Sequence, residues 1–210
     1  MDAAKEASRH FQYLMAAHTS ESRGASLEAG NPRLDEVLEM ATKVSSQAEV
    51  FHLSHIHEPI IFEANKLKAL ERKESSGTAL RLIKNGKISF SSTTRQDHIV
   101  PLAYNVLETA PLGPRTVLEF LNYHKFNPLE IYDPSVESYP LDAMIELGQT
   151  IIDRVRKDEP SLLCDASVSE DVTTISIMDS NGGYANYTKS VFSISVGGTL
   201  IKDTDILFLW

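Results

Sequence analysis

The fold of this chain is decided by residues 76–93, SGTALRLIKNGKISFSST, where Asn85-Gly86 separates two short runs of strand-forming residues. A two-residue hairpin turn has positive φ at its central positions, which Asn and Gly adopt at the least cost. The stretch therefore predicts an antiparallel hairpin with Asn85 and Gly86 as its structural turn.

Elements on either side of the hairpin complete a first unit. Asn31 and Pro32 mark the start of a helix, and two strands are expected over residues 48–56 and 60–70. Asp97 can cap a second helix after the hairpin. The helices carry apolar stripes, which are Leu34, Val37, Leu38, Ala41 and Val44 in the first and Ile99, Val100, Ala103, Val106 and Leu107 in the second. This unit is expected to span residues 31–112.

The flanking segments differ in composition. Residues 1–30 contain a Ser/Gly-rich stretch and are predicted to be an N-terminal lead that can be flexible. Residues 113–139 contain several prolines and are predicted to be a linker, with a candidate short helix from Thr116 to Tyr123.

A second unit is expected over residues 140–210. Pro140 opens a helix, and strands are predicted over residues 162–168, 172–178, 184–196 and 199–210. The glycine-containing pairs between these strands are predicted to be structural turns, at Asn181, Gly182, Gly183, Gly197 and Gly198. The predicted fold class is α+β, with antiparallel sheets packed on one face by helices in two helix-plus-hairpin units.

The last strand has an unusual composition. Residues 206–210, ILFLW, have high β-propensity, no charge and no proline. An edge strand of this kind pairs readily with another chain unless something covers it. We expect the second unit to be truncated at this C-terminal strand. We also expect the strand to mediate association of the chain into dimers or soluble oligomers.

Composition excludes several classes of partner. The formal net charge is -9, which disfavours nucleic acid and anionic membrane surfaces. No apolar run approaches the length of a membrane helix, and the first residues do not resemble a secretory signal. Cys164 is the only cysteine, so no intrachain disulfide forms. These features favour a cytoplasmic location.

The candidate metal ligands are His55 and His57, which share one face of a predicted strand. Two ligands do not complete a zinc site, and neither His98 nor His124 is placed near them by sequence. The chain contains no HExxH, HExxxH, GxSxG or phosphate-loop motif. We therefore predict no catalytic, metal-binding or cofactor-binding residues in this chain.

Three stretches resemble one protein family. They are Ala48 to Phe51, Phe62 to Lys68 and Ser76 to Thr93. Together with the helix at His98 to Thr109, they are similar to the N-terminal domain of TldD/PmbA proteins. Ile175 to Gly183 resembles the family's "i.Ns.G" turn, with Asp-Ser-Asn-Gly in place of Asn-Ser-x-Gly. The resemblance covers residues 32–210.

The resemblance implies a function that composition alone does not. Family members are metallopeptidases that act on extended or unfolded peptides, including peptide maturation, and some are labelled modulators of DNA gyrase. Their HExxxH ligands lie downstream of the matched stretch, so zinc is expected only there and only in the metal-bearing type of subunit. Subunits pair as homo- or heterodimers and enclose the active site. The expected role is therefore an N-terminal non-catalytic scaffold that encloses peptide. The alternative is a stand-alone peptide-binding or assembly module that uses exposed strand edges.

Overall fold

The computed structural model describes residues 34–95, 99–120, 129–202 and 205–209 and confirms an α+β fold. The predicted lead at residues 1–30 lies outside the described residues. The helices are α1 (Leu34–Thr42), α2 (Ile99–Thr109), α3 (Pro134–Glu137) and α4 (Leu141–Val155), and a 3-10 turn spans Ala110–Leu112. The strands are β1 (Gln47–Glu63), β2 (Lys66–Leu70), β3 (Lys73–Lys84), β4 (Lys87–Thr93), β5 (Leu163–Asp179), β6 (Tyr184–Lys202) and β7 (Asp205–Leu209).

The strands of the described part of the chain form one seven-stranded antiparallel sheet, where the sequence predicted more than one. Its order is β4-β3-β1-β5-β6-β7, and β2 pairs with β1. Strands β1 and β5 are each 17 residues long, so the breaks predicted after residues 56 and 168 are absent. Pro59 is accommodated within β1, where its carbonyl still accepts a hydrogen bond from Glu71 N–H at 3.1 Å.

The Asn85-Gly86 turn has the geometry that its sequence favours. Lys84 pairs with Lys87 across the hairpin, which leaves two residues in the loop. Asn85 has φ 52° and Gly86 has φ 70°, so both central residues occupy the left-handed region. The local turn chemistry therefore sets the register of β3 against β4.

Contacts between Cα atoms divide the chain into two compact units that are interleaved in sequence. Among the described residues, the first comprises residues 34–55, 74–95, 99–120, 129–130 and 174–187, and the second comprises residues 56–73, 131–173, 188–202 and 205–209. Strands β1 and β5 each contribute residues to both units. The domains predicted at 31–112 and 140–210, which are continuous in sequence, stay a prediction.

The first unit has a core between its helices and the sheet. Leu34, Val37 and Ala41 of α1 are buried together with Leu102 and Val106 of α2. All of these residues except Leu102 belong to the stripes that the sequence predicted. Strands β1 and β3 complete the cluster through Ala48, Val50, Leu80 and Leu82.

The beginning of the predicted linker is anchored on the first unit. Thr116 N–H donates to the carbonyl of Gly86 at 2.9 Å, and Phe120 N–H donates to Gln47 Oε1 at 2.6 Å. The Phe120 ring is buried and lies 4.7 Å from the guanidinium carbon of Arg81. Residues 116–120 form no helix, so the described part of the candidate helix from Thr116 is absent. Hydrogen bonds to the hairpin and to β1 anchor this segment.

The second unit has its own core, in which α4 packs on the sheet. Met144 and Ile152 of α4 are buried with Ile60, Phe62, Leu162, Cys164, Ala166 and Val168. Gly148 lies on the same helix face and is also buried. A small residue at this position allows the helix backbone to approach the Phe62 ring closely.

The turn predicted at Gly197-Gly198 is not present, because both residues lie within β6. Neither residue is among the described glycines with positive φ. Gly198 instead packs closely on the core, since an added Cβ would lie 3.0 Å from Leu162 Cδ2. Close packing on Leu162, rather than positive φ, distinguishes this position.

Candidate functional site: the polar face of the second unit

Strand β5 carries a polar ladder along one of its faces. Within the second unit, Cys164, Ala166 and Val168 are buried in the core, and the residues between them are polar. Side chains alternate across a strand, so Asp165, Ser167, Ser169 and Asp171 share the opposite face. The face that is not packed against α4 therefore presents hydroxyl and carboxylate groups.

A hydrogen-bonded network joins this ladder to the neighbouring strands. His57 Nδ1 and Asp171 Oδ1 are 2.8 Å apart, and Ser169 Oγ donates to Asp171 Oδ2 at 3.2 Å. Ser169 Oγ also lies 2.7 Å from Ser193 Oγ on β6. A nucleophilic serine needs a histidine between itself and the carboxylate. Here the carboxylate stands between histidine and serine, so the network orders side chains without activating a hydroxyl.

The two histidines considered as candidate metal ligands lie close to a carboxylate, that of Asp171, which the sequence did not place beside them. The potential ligand atoms of His55, His57 and Asp171 lie within 4.8 Å of one another. Asp171 lies far from both histidines in sequence, and no spacing signal could have placed it beside them. Asp171 thus supplies a third potential ligand, and the expectation that no metal binds here rests on the absence of such a residue.

His52, which precedes these histidines, is buried in the first unit and has a structural role there. Its side chain is buried, and its Nδ1 atom lies 2.9 Å from Thr78 Oγ1. Burial lowers the pKa of His52, which favours the neutral ring. Residue His52 is therefore a hydrogen-bonded core histidine.

Glu170 is a buried carboxyl group on the core-facing side of β5. It is 5% exposed, and its Oε1 atom has no hydrogen-bond partner among the described residues. Burial, and to a smaller extent the nearby Glu58 and Glu137 carboxylates, raises the pKa of Glu170 from 4.5 to about 6. The second unit thus contains a carboxyl group that changes charge near neutral pH.

Cys164 is a core residue and not a nucleophile. Its side chain is fully buried, and burial raises the pKa of its thiol against a smaller opposing effect of Arg156. A reactive cysteine requires a lowered pKa and access to solvent.

The turn at Asn181-Gly182-Gly183 is held by a single carboxylate in the first unit. Asp179 Oδ1 accepts hydrogen bonds from Asn181 N–H at 2.6 Å and from Gly183 N–H at 3.1 Å. Gly182 has φ 84°, whereas the residues on either side of it are not in the left-handed region. These residues connect β5 to β6, and their side chains carry no chemistry.

A depression of about 290 Å³ lies on the polar face of the second unit. Its polar lining comes from Asp165 and Ser167 of β5 and from Ser195 and Thr199 of β6. Ile61 and Phe208 contribute apolar lining. Asp165 Oδ1 accepts a hydrogen bond from Ala64 N–H at 2.9 Å, which holds the carboxylate in place. No local sequence pattern indicates this site, because it is built from residues that are separated along the chain.

Comparison with known proteins supports the sequence resemblance. Residues 48–108 match the family model described as PmbA/TldA metallopeptidase domain 1. No curated protein matches the chain by sequence. None of the helices in the described ranges is long and apolar enough to cross a membrane.

Solved structures share the fold over most of the chain. A modulator of DNA gyrase from Bacteroides thetaiotaomicron superposes with a TM-score of 0.71 at 17% identity, over 81% of this chain and 41% of its own. TldE from Thermococcus kodakarensis gives a TM-score of 0.72 at 10% identity, over 82% and 40%. A modulator of DNA gyrase from Thermotoga maritima gives 0.70 at 11% identity, over 83% and 40%. The chain thus spans about two fifths of the length of these relatives.

Proposed function

We propose, from the premise that this chain carries the N-terminal domain of the TldD/PmbA family, that it is a non-catalytic scaffold portion of a peptidase of that family. The match of residues 48–108 to the family's first domain is the observation that carries this proposal. The proposed task is to help enclose extended peptide during proteolysis or peptide maturation.

The chemistry of the chain supports a non-catalytic role. Its sequence contains no HExxxH motif, which would supply the metal ligands and the base of a zinc peptidase. The His57–Asp171–Ser169 network lacks the order of groups that activates a hydroxyl. Hydrolysis would therefore depend on groups outside this chain.

The polar face of the second unit is suited to an extended peptide. Hydroxyl groups of Ser167, Ser195 and Thr199 can donate to peptide carbonyls and accept from peptide N–H groups. Such contacts can form with the backbone of an extended peptide or with its polar side chains.

A second family subunit is the proposed partner, as a homodimer or heterodimer. The structural neighbours are TldE and modulators of DNA gyrase, which are proteins of this family type. The proposed location is the cytoplasm, because the single cysteine is buried and reduced thiols prevail there.

Peptide binding by the purified chain tests this proposal. Fluorescence anisotropy should rise when a labelled unfolded peptide is titrated with the chain, and a labelled protein that stays folded should give no change. Saturable binding of the unfolded probe supports the proposal. Equal responses to both probes, or no response to either, contradict it.

One observation favours a second candidate, a free-standing assembly module. Strand β7 is last in the sheet order, and Ile206, Leu207 and Phe208 are all more than half exposed. An open apolar edge can accept a strand from another chain.

Light scattering, read together with the peptide-binding experiment, separates the two candidates. The assembly module predicts dimers of the chain at micromolar concentration that Leu207→Lys dissociates, while the exposed surface variant Thr150→Lys leaves them intact. Dimers that are lost in Leu207→Lys, from a chain that binds no unfolded peptide, support the assembly module. A chain that binds unfolded peptide, as a monomer or as a dimer, supports the scaffold.

A further inference from the structure

The depression on the second unit is formed by a local loss of side chains. Gly198 faces the core, where an added Cβ would lie 3.0 Å from Leu162. Because side chains alternate along β6, Gly197 belongs to the opposite face, where the depression lies. Its missing side chain leaves room between Ser195 and Thr199. The consecutive glycines therefore serve close packing on one face and an open space on the other.

The charge of this depression has one sign. Asp165 is its only charged residue among the described lining residues, and none of them is Lys or Arg. A carboxylate accepts several hydrogen bonds, and Asp165 uses Oδ1 for one bond to Ala64 N–H. The remaining acceptor capacity suits a ligand that carries positive charge and N–H donors. An anionic ligand would meet repulsion from Asp165 and from the net charge of -9.

The apolar lining favours a particular type of cation. The Phe208 ring is 61% exposed, and Ile61 also lines the depression. An aromatic face attracts a guanidinium or ammonium group, and aliphatic contacts suit the stem of a long basic side chain. A hydrated metal ion would gain nothing from these apolar groups.

We infer that this depression binds the side chain of a basic residue, preferably arginine, in an extended peptide. Asp165 accepts hydrogen bonds from the guanidinium group, Phe208 contacts its plane, and the hydroxyls of Ser167 and Ser195 accept further N–H groups. This inference deepens the proposed function and rests on it, because it assigns that peptide a preference for a basic residue.

Two small probes of nearly the same shape, one charged and one uncharged, test whether the depression recognises the positive charge. N-acetyl-arginine methylamide and its uncharged citrulline analogue are titrated into the isotope-labelled chain and followed by NMR. The arginine probe should shift the amide signals of Asp165, Ser167 and Ser195 and bind roughly fivefold more tightly, as expected for one partly exposed ion pair. Asp165→Asn should reduce the affinity for arginine to that for citrulline. Asp153→Asn, on α4 and outside the depression, should change neither.

Substitution at Asp165 is suited to this test because it preserves the local structure. The side-chain oxygen of Asn can still accept the Ala64 N–H bond, so the variant should unfold at the same temperature as the wild type. Equal binding of the two probes, or an arginine affinity that Asp165→Asn does not change, would overturn the inference.

A second binding measurement uses unfolded peptides that carry one central arginine or one central citrulline. Its outcomes distinguish failure of the basic-residue site from failure of the proposed scaffold function. Binding of both peptides with equal affinity leaves the scaffold function standing and rejects the basic-residue site. Discrimination between the small probes without binding of either peptide keeps the site and rejects the peptide scaffold. Tighter binding of the arginine peptide, lost in Asp165→Asn, supports both.

Discussion

The α carbon of Gly148 lies so close to the buried ring of Phe62 that an added Cβ would be 2.2 Å from Phe62 Cε2. Glycine in a helix interior costs about 1 kcal/mol relative to alanine, so its presence in α4 needs a reason. Close packing of the helix on the sheet is that reason.

Gly148→Ala should destabilise the second unit in spite of its better helix propensity. The added methyl group displaces an aromatic ring that is 1% exposed, and overpacking of this kind costs about 1–3 kcal/mol. Urea unfolding measures the change. The control Thr150→Ala, at an exposed position of the same helix, should be neutral or stabilising.

A second substitution identifies the cause of this loss. Phe62→Leu in the Gly148→Ala background should cost less than Phe62→Leu in the wild type, because the shorter side chain relieves the contact. Additive effects of the two substitutions would contradict the close contact.

Glu170→Gln should stabilise the second unit at neutral pH. Because the folded-state pKa of Glu170 is raised from 4.5 to about 6, protonation is favoured in the folded state. Its ionisation therefore removes stability as pH rises from 4.5 through 6. The glutamine variant escapes this penalty, which is about 2 kcal/mol at pH 7 for a shift of this size.

Unfolding of both proteins across this pH range provides the check. The difference in the free energy of unfolding should be near zero below pH 4.5, grow between pH 4.5 and 6, and level off above pH 7. Glu130→Gln, at an exposed position, is the control. A difference that does not depend on pH would show that Glu170 is not the titrating group.

Gly86→Val should destabilise the hairpin of the first unit. Gly86 has φ 70°, and a β-branched residue in the left-handed region costs about 1–2 kcal/mol. Gly86→Asn should cost less, because Asn tolerates this conformation. Thermal unfolding compares the three proteins, and equal midpoints for Val and Asn would refute the assigned turn geometry.

The purified chain should hold no stoichiometric zinc and show no peptidase activity. No HExxxH motif is present, and that motif would supply the paired ligands and the base of a zinc peptidase. Elemental analysis after preparation with zinc and dialysis is the measurement. One zinc per chain that both His57→Ala and Asp171→Asn remove, while Asp165→Asn retains it, would establish a metal site and overturn this expectation.

Sequence reasoning was most successful where local chemistry decides the structure. Asn85 and Gly86 specify their turn through backbone conformation alone, and the spacing of Leu34, Val37 and Ala41 specifies the buried face of α1. These features depend on residues that are neighbours along the chain.

It failed where a distant residue decides the outcome. Gly197 and Gly198 resemble a turn in sequence, but packing on Leu162 places Gly198 in a strand interior. Asp171 reaches His57 only through the order of strands in the sheet. The depression beside Asp165 combines four strands in the same way, so its chemistry could not be assembled from local patterns.

Photo-crosslinking of an unfolded peptide to the intact chain, with the adducts mapped by mass spectrometry, tests the scaffold proposal most directly. The account predicts adducts on the polar face of the second unit, on β5 and β6 around Ser167 and Ser195, and competition by excess unlabelled peptide. Adducts confined to the exposed side of α4, or adducts that excess peptide does not suppress, would contradict it.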